Sequence, residues 1–254
     1  MGKIIAVANQ KGGVGKTTTA INLASALALL KQNVLLIDCD PQGNTSSGLG
    51  IPNNAGTLYD VLVEKMAVEE VIKDTPLKTL KCIPSNPNLT AVEVEFISLP
   101  QREYYFLKYL SPLRGNYDFI FLDCPPSLSL ITINALSAAN SVLIPIQCEY
   151  YALEGLAQLL KTIKLVKQRS NPGLKIEGFL LTMFDRRNSL SFQIEAEVRK
   201  HFKDYTFKTV IPRNVRLSEA PSHGLPIFLY DDKCKGAEQY FQLAQELLDR
   251  QQRS

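Results

Sequence analysis

Lys11, Lys16, Thr17 and Thr18 lie around three glycines in the run Asn9-Gln10-Lys11-Gly12-Gly13-Val14-Gly15-Lys16-Thr17-Thr18. Gly12, Gly13 and Gly15 allow successive backbone N–H groups to turn inward around a chain of phosphates. Lys16 then reaches the outer phosphates, and the hydroxyl of Thr17 is placed to hold Mg²⁺. Carboxylates that suit the same chemistry stand at two other places. Asp123 closes the apolar run Tyr117-Asp118-Phe119-Ile120-Phe121-Leu122, as an acid does when it orients a Mg²⁺ shell from a strand end. Asp38 and Asp40 open the loop Asp38-Cys39-Asp40-Pro41-Gln42-Gly43-Asn44, where ligands of open α/β sheets bind. On residue types alone that loop is also compatible with plain solvation.

Such groups act together only if regular elements hold them at one edge. Lys3-Ile4-Ile5-Ala6-Val7-Ala8 reads as a strand before the glycine loop, and Ala20 to Leu30 follows it with a helical pattern. Strand, loop and helix are the context that a phosphate-binding loop requires. One position departs from the usual pattern, because Gln10 stands where its first glycine belongs. Asn33–Asp38 is too short for a helix and suits a buried parallel strand. Further strands are expected at Leu80–Pro84, Ser141–Ile146, Ile176–Thr182 and Phe207–Ile211, with helices at Ala152–Arg169 and Ser189–Phe202. The alternation predicts an α/β fold: a single doubly wound, mostly parallel sheet with helices on both faces, across residues 1–254.

Lys11-Gly12-Gly13-Val14-Gly15-Lys16-Thr17 resembles the deviant Walker A loop of the ParA/MinD-type P-loop ATPases. Asp38-Cys39-Asp40-Pro41-Gln42-Gly43-Asn44 and Asp123-Cys124-Pro125-Pro126-Ser127 resemble the ParA family, and Cys148 to Leu156 and Thr209 to Gly224 closely resemble its chromosomal ParA (Soj) subgroup. The resemblance runs from residue 2 to about 245. It implies ATP and Mg²⁺ as cofactors, with Lys11 to Thr18 and Asp123 around the nucleotide. Pro212 and Asn214 would frame the adenine. Thr17 would bind Mg²⁺ directly, and Asp40 and Asp123 through water. Lys11, Lys16 and Asp40 become the catalytic candidates, with Lys11 crossing to the nucleotide of a second subunit and Asp40 positioning the attacking water. The resemblance also implies an ATP-dependent homodimer of weak intrinsic turnover. That dimer would bind double-stranded DNA nonspecifically, associate with the nucleoid, and be reset by a ParB-type partner.

Charge gives the DNA expectation some support of its own. The chain's net charge is +3, yet Arg186 to Arg216 holds eight Lys/Arg against three Asp/Glu. Arg187 and Arg216 match arginines that contact DNA in the Soj subgroup, and Arg186 and Arg213 are secondary candidates. No acid directly flanks Arg187 or Arg216. A solvated basic surface is the bland alternative, as it is for Lys161, Lys164 and Lys167.

Cys39, Cys82, Cys124, Cys148 and Cys234 are scattered without metal-ligand or cluster spacing, which reads as reduced thiols in a cytoplasmic protein. It also argues against an iron–sulfur scaffold. No apolar run approaches the ~18 residues of a membrane span. A MinD-like membrane-associated positioning ATPase is the alternative function, but Leu247 to Ser254 shows no amphipathic anchor after Leu248. His223 lacks ligand-spaced neighbours and suits capping or packing rather than a metal. Residues 51–115 name no function. They offer a threonine-capped helix at Thr57–Leu62 and aromatic packing at Tyr104, Tyr105, Phe106 and Tyr109.

Overall fold

The computed structural model describes residues 2–52, 56–149 and 152–252. Seven strands form one sheet: β1 (Lys3–Val7), β2 (Val34–Asp38), β3 (Lys73–Asp74), β4 (Leu80–Ile83), β5 (Phe119–Asp123), β6 (Ser141–Gln147) and β7 (Lys175–Thr182). Their order is β3-β4-β2-β5-β1-β6-β7. Every pairing is parallel except that of the short edge strand β3 with β4.

The central strands read as unbroken apolar runs because both of their faces are covered. Ile4, Ala6, Leu35, Ile37, Ile120 and Leu122 point into one core, which helices Leu130–Ala138, Ala152–Arg169 and Ser189–Phe202 help to close. The alternate residues Ile5, Val7, Val34, Leu36, Phe119 and Phe121 point into the other. There, helices Lys16–Leu29 and Lys235–Gln252 pack side by side, joined by a 3.1 Å hydrogen bond between Thr19 Oγ1 and Tyr240 Oη. Alanines at 20, 24, 26 and 28 let the first helix lie close to the sheet and to its neighbour. The expected doubly wound α/β architecture is therefore present.

The expected strand at Phe207–Ile211 is not. That segment runs beside β7, with isolated bridges at Thr206 and Pro212 only. Phe207 and Ile211 donate their N–H groups to the carbonyls of Phe179 and Leu181. Between them, the N–H groups of Lys208 and Thr209 turn away to the Glu246 carboxylate at 2.8 and 2.9 Å. Pro212 has no N–H to give. The apolar pattern suited a strand, but an acid on the last helix captured the ladder donors.

Gly178 permits this arrangement. A Cβ there would sit 2.5 Å from Phe207 Cε2 and 2.9 Å from the Tyr205 carbonyl. Gly178→Ala is expected to destabilise the fold by roughly 1–3 kcal/mol, lowering the unfolding midpoint by roughly 2–4 °C per kcal/mol. A calorimetric midpoint equal to that of the parent chain would contradict the packing.

Apart from β3 and β4, residues 57–115 form short helices and turns, most of them over the first core. Thr57 caps helix Leu58–Leu62 as expected, in a reciprocal capping box with Asp60. Phe106 is buried and the Tyr105 ring lies 4.4 Å from Phe96, so this aromatic group is core packing. His223, exposed at the surface, stacks on Tyr230 at 5.0 Å. Lys161, Lys164 and Lys167 are exposed on their helix.

Candidate functional site

β1 delivers the chain into the glycine loop at the carboxyl edge of the sheet. Gly13 (φ +74°) and Gly15 (φ +84°) adopt the left-handed conformation that side chains resist. A Cβ at Gly12 or Gly13 would meet nothing within 4 Å, so this side of the loop is open. The rest is pinned. Asn9 donates its side-chain amide to the Pro145 carbonyl at 2.7 Å and accepts the Lys11 N–H at 3.0 Å. Thr182 donates its hydroxyl to the Val14 carbonyl at 2.8 Å, fastening the loop to the end of β7.

Lys16 begins the helix and is only 7% exposed. Its ammonium donates to the Lys11 carbonyl at 3.0 Å, so it is folded across the loop. Burial lowers its pKa, against the pull of Asp123, Cys124 and Asp40. Thr17 and Thr18 follow on the first helical turn. The side chain of Lys11 instead lies at the loop mouth, paired with Glu149 at 3.4 Å. Glu149 also approaches Arg213 at 3.9 Å.

Asp38 and Asp123 end adjacent strands and face each other in register. Asp38 accepts from the Ser46 hydroxyl at 2.7 Å, the Ser46 N–H at 2.9 Å and the Asp40 N–H at 3.1 Å. Asp123 Oδ2 accepts the Thr45 hydroxyl at 2.6 Å, while its Oδ1 is buried without a partner. Burial pushes Asp38 up to about 6, against its hydrogen bonds from Ser46. Burial, and then the charge of Asp38, push Asp123 up to about 7. Asp40 lies just beyond, 9% exposed, with Oδ1 accepting the Gln42 N–H at 3.0 Å. Cys124 is packed, and burial raises its thiol pKa far above the reactive range.

No group of three or more His, Cys, Asp or Glu among the described residues could cage a metal ion. The donors present suit a different arrangement. A buried carboxylate oxygen lacks a partner, a threonine hydroxyl stands on the first helical turn, and the glycine loop is open. That set fits a Mg²⁺ ion that arrives with phosphates and keeps part of its water shell.

Pro212 and Asn214 come back to this edge. With Gly15, Thr18, Thr182 and Met183 they line a cavity of about 130 Å³ beside the loop. The Asn214 side chain is already engaged, capping helix Val215–Glu219 by accepting the Arg216 N–H at 2.8 Å. Next to the cavity, Arg186, Arg187 and Arg213 share an open groove of about 850 Å³ with Lys208 and Lys235. Arg216 does not line that groove.

Both leading arginines are paired by acids that lie near in space. Arg187 forks onto Asp185, with Nε and Nη2 each at 3.1 Å, and holds that carboxyl down to about 2. Asp185 stands one residue before the basic stretch Arg186 to Arg216. Arg216 meets Glu219 at 2.9 Å and Asp231 at 3.4 Å. Tyr150 and Tyr151, in the motif running from Cys148, lie outside the described residues, as do Arg253 and Ser254 at the tail.

Sequence reading assigned no role of their own to several residues that shape the site. Asn9, Thr45, Ser46, Glu149 and Thr182 all hold site residues, mostly across long sequence separations. Thr45 and Ser46 directly follow the recognised aspartate loop, and that adjacency was the available signal.

A glycine loop between a central parallel strand and a helix, ending in Lys16-Thr17 and facing acids on two strand ends, defines a P-loop nucleotide-binding protein with the second lysine of the deviant Walker A type. A family model described as an AAA domain matches residues 2–176. The chromosome partitioning protein ParA of Myxococcus xanthus is 55% identical over 98% of this chain and 89% of its own length. The sporulation initiation inhibitor protein Soj of Bacillus subtilis is 55% identical over 97% of this chain and 98% of its own. The chain belongs to the ParA/Soj family of chromosome-partitioning ATPases. Among solved structures it is similar to cobyrinic acid a,c-diamide synthase from Mycobacterium smegmatis with bound ADP and magnesium. That likeness has a TM-score of 0.87 and 34% identity, covering 99% of this chain and 96% of that one.

Proposed function

We propose that the chain is an ATP-driven dimeric switch that binds DNA nonspecifically and serves chromosome or plasmid partition. In this reading Lys16 and the loop backbone from Gly12 to Thr18 hold the phosphates of ATP, and Pro212 and Asn214 border the adenine. Thr17 ligates Mg²⁺, with Asp123 and Asp40 meeting its water shell. Bound there, the ion offsets negative charge on the phosphates during transfer to water. Asp40, just past the end of β2, orients the attacking water.

The observation that carries the reading is the placement of Lys11. Its side chain stands at the open mouth of the loop, and its one ionic partner among the described residues is the partly exposed Glu149. Such pairs are worth about 0–1 kcal/mol, so Lys11 is free to exchange Glu149 for the phosphates of a second copy. An isolated subunit lacks that second lysine at its own nucleotide, which accounts for weak intrinsic turnover. A ParB-type partner then accelerates the reaction and resets the switch. No helix among the described residues is long and apolar enough to cross a membrane.

DNA binding is assigned to Arg187 and Arg216, with Arg186 and Arg213 in support. Because Asp185, Glu219 and Asp231 already pair the leading two, a DNA phosphate must displace a carboxylate at each, and single-subunit affinity is low. Two copies of the patch on one dimer act together, so binding follows ATP and falls steeply with salt. Arg216→Ala is expected to weaken binding by about tenfold on unrelated duplexes alike, with ATP affinity and dimerisation retained. Fluorescence anisotropy across a salt series measures this. Parental affinity at moderate salt would move the footprint elsewhere, first to the face of Lys161, Lys164 and Lys167.

A further inference from the structure

The loop after Asp123 ends at helix Leu130–Ala138, and that helix has no cap of its own. Ser129 occupies the capping position in extended conformation, but its side chain makes no capping hydrogen bond. The first two helical N–H groups are bound from 37 residues away or more. Leu130 N–H donates to Glu93 Oε2 at 3.1 Å, and Ile131 N–H donates to Glu93 Oε1 at 3.3 Å. A carboxylate that takes both donors also lies where the helix dipole favours negative charge.

Glu93 is not on a free tether. It sits on the short helix Val92–Glu95, between the buried side chains of Val92 and Phe96. The turn before it, Pro87–Ala91, is anchored by buried Leu89. Upstream, the N–H of Ser85 donates to Ser46 Oγ at 3.0 Å, and that hydroxyl donates to Asp38 at 2.7 Å. A Cβ on Gly43 would also lie 3.2 Å from the Ser85 carbonyl. Residues 85–93 therefore bridge the aspartate loop at one end and the helix that closes the Asp123 loop at the other. Inside that second loop, the Thr132 hydroxyl donates to the Ser127 carbonyl at 2.6 Å, so fixing the helix start also fixes the loop.

We propose that Glu93 is a positioning residue for nucleotide hydrolysis: it pins the far end of loop 124–129 and holds that loop in register with the Asp38–Asp40 loop. The proposal rests on the ATPase reading above and assigns a role to a region whose sequence named none. Glu93 touches neither phosphate nor water in this scheme. Its carboxylate acts through the backbone of Leu130 and Ile131, and its loss leaves Lys16, Thr17 and Asp123 in place.

The test compares Glu93→Ala, Glu93→Gln and the control Glu95→Ala, which loses only an exposed hydrogen bond with Tyr59. Steady-state ATP hydrolysis, amide hydrogen exchange and thermal unfolding are measured on each. Glu93→Ala is expected to lower kcat by about five- to tenfold with KM for ATP within about twofold, in line with a lost helix cap felt at the reacting site. Exchange at the amides of Leu130 and Ile131 should quicken. Glu93→Gln, which keeps one acceptor oxygen, should fall between, and Glu95→Ala should match the parent. An unchanged kcat per folded molecule, with only the unfolding midpoint lowered, would reduce Glu93 to a structural cap and overturn the proposal. Unchanged exchange at both amides would overturn it as well. A parent chain without ATPase activity would count against the ATPase reading, while the exchange measurement would still test the tether.

Discussion

Lys16→Ala is expected to weaken ATP binding by about two orders of magnitude, because charge-assisted hydrogen bonds contribute roughly 1.5–3 kcal/mol each and the proposed place of this lysine is at the outer phosphates. The resting geometry explains why so much depends on one side chain. The ammonium is nearly buried and held by a single carbonyl, that of Lys11 at 3.0 Å. Burial alone lowers its pKa, and nearby Asp123 opposes that shift. In the proposed complex a triphosphate adds countercharge beside the ammonium to that of Asp123 and Asp40. The substitution removes a buried charge and should leave the apo fold intact, which a parental unfolding midpoint without nucleotide would establish. Titration with a fluorescent ATP analogue reads the affinity. Thr17→Ala should differ in kind, losing more affinity with Mg²⁺ than without it. Unchanged affinity in Lys16→Ala would remove the core of the functional reading.

The parts of this site that could be read from sequence are those written in consecutive residues. The glycine loop is legible because Gly13 and Gly15 must take conformations that other residues resist. β2 and β5 are legible because a strand covered on both faces has to be apolar throughout. The failures share another cause. Phe207–Ile211 carries a strand's pattern, yet Glu246, far along the chain, takes the N–H groups of Lys208 and Thr209. Arg216 has no acid directly beside it, yet the fold brings Asp231 onto it; Asp185, two residues before Arg187, is by contrast within local reach. Glu93 reaches the helix at Leu130 by the same kind of long-range contact. Side-chain carboxylates that bind distant backbone or arginine leave no local spacing to recognise. The apolar pattern constrains the sheet, but it does not specify where polar side chains end their reach.

Gly12→Val is expected to abolish ATP-dependent dimerisation while leaving ATP affinity within about threefold of the parent, a contrast set by sterics at a contact between copies. Within one subunit a side chain at Gly12 meets nothing within 4 Å, and Gly12 is not among the glycines with positive φ. Valine is therefore accommodated in the isolated chain, and neither the loop backbone nor Lys16 has cause to move. The proposed dimer changes the surroundings of that position. Lys11 precedes it at the loop mouth, and for Lys11 to leave Glu149 and reach a partner's phosphates, the two loops must approach closely at Gly12. A branched side chain on both copies would then fill the contact twice. Light scattering with a slowly hydrolysed ATP analogue should show a dimer for the parent and a monomer for the variant. DNA affinity should fall with it, because the two arginine patches no longer act as one ligand. A Gly12→Val chain that still dimerised with ATP would require a different face for the interface. Lys11 would then be left as a partner of Glu149 within its own subunit.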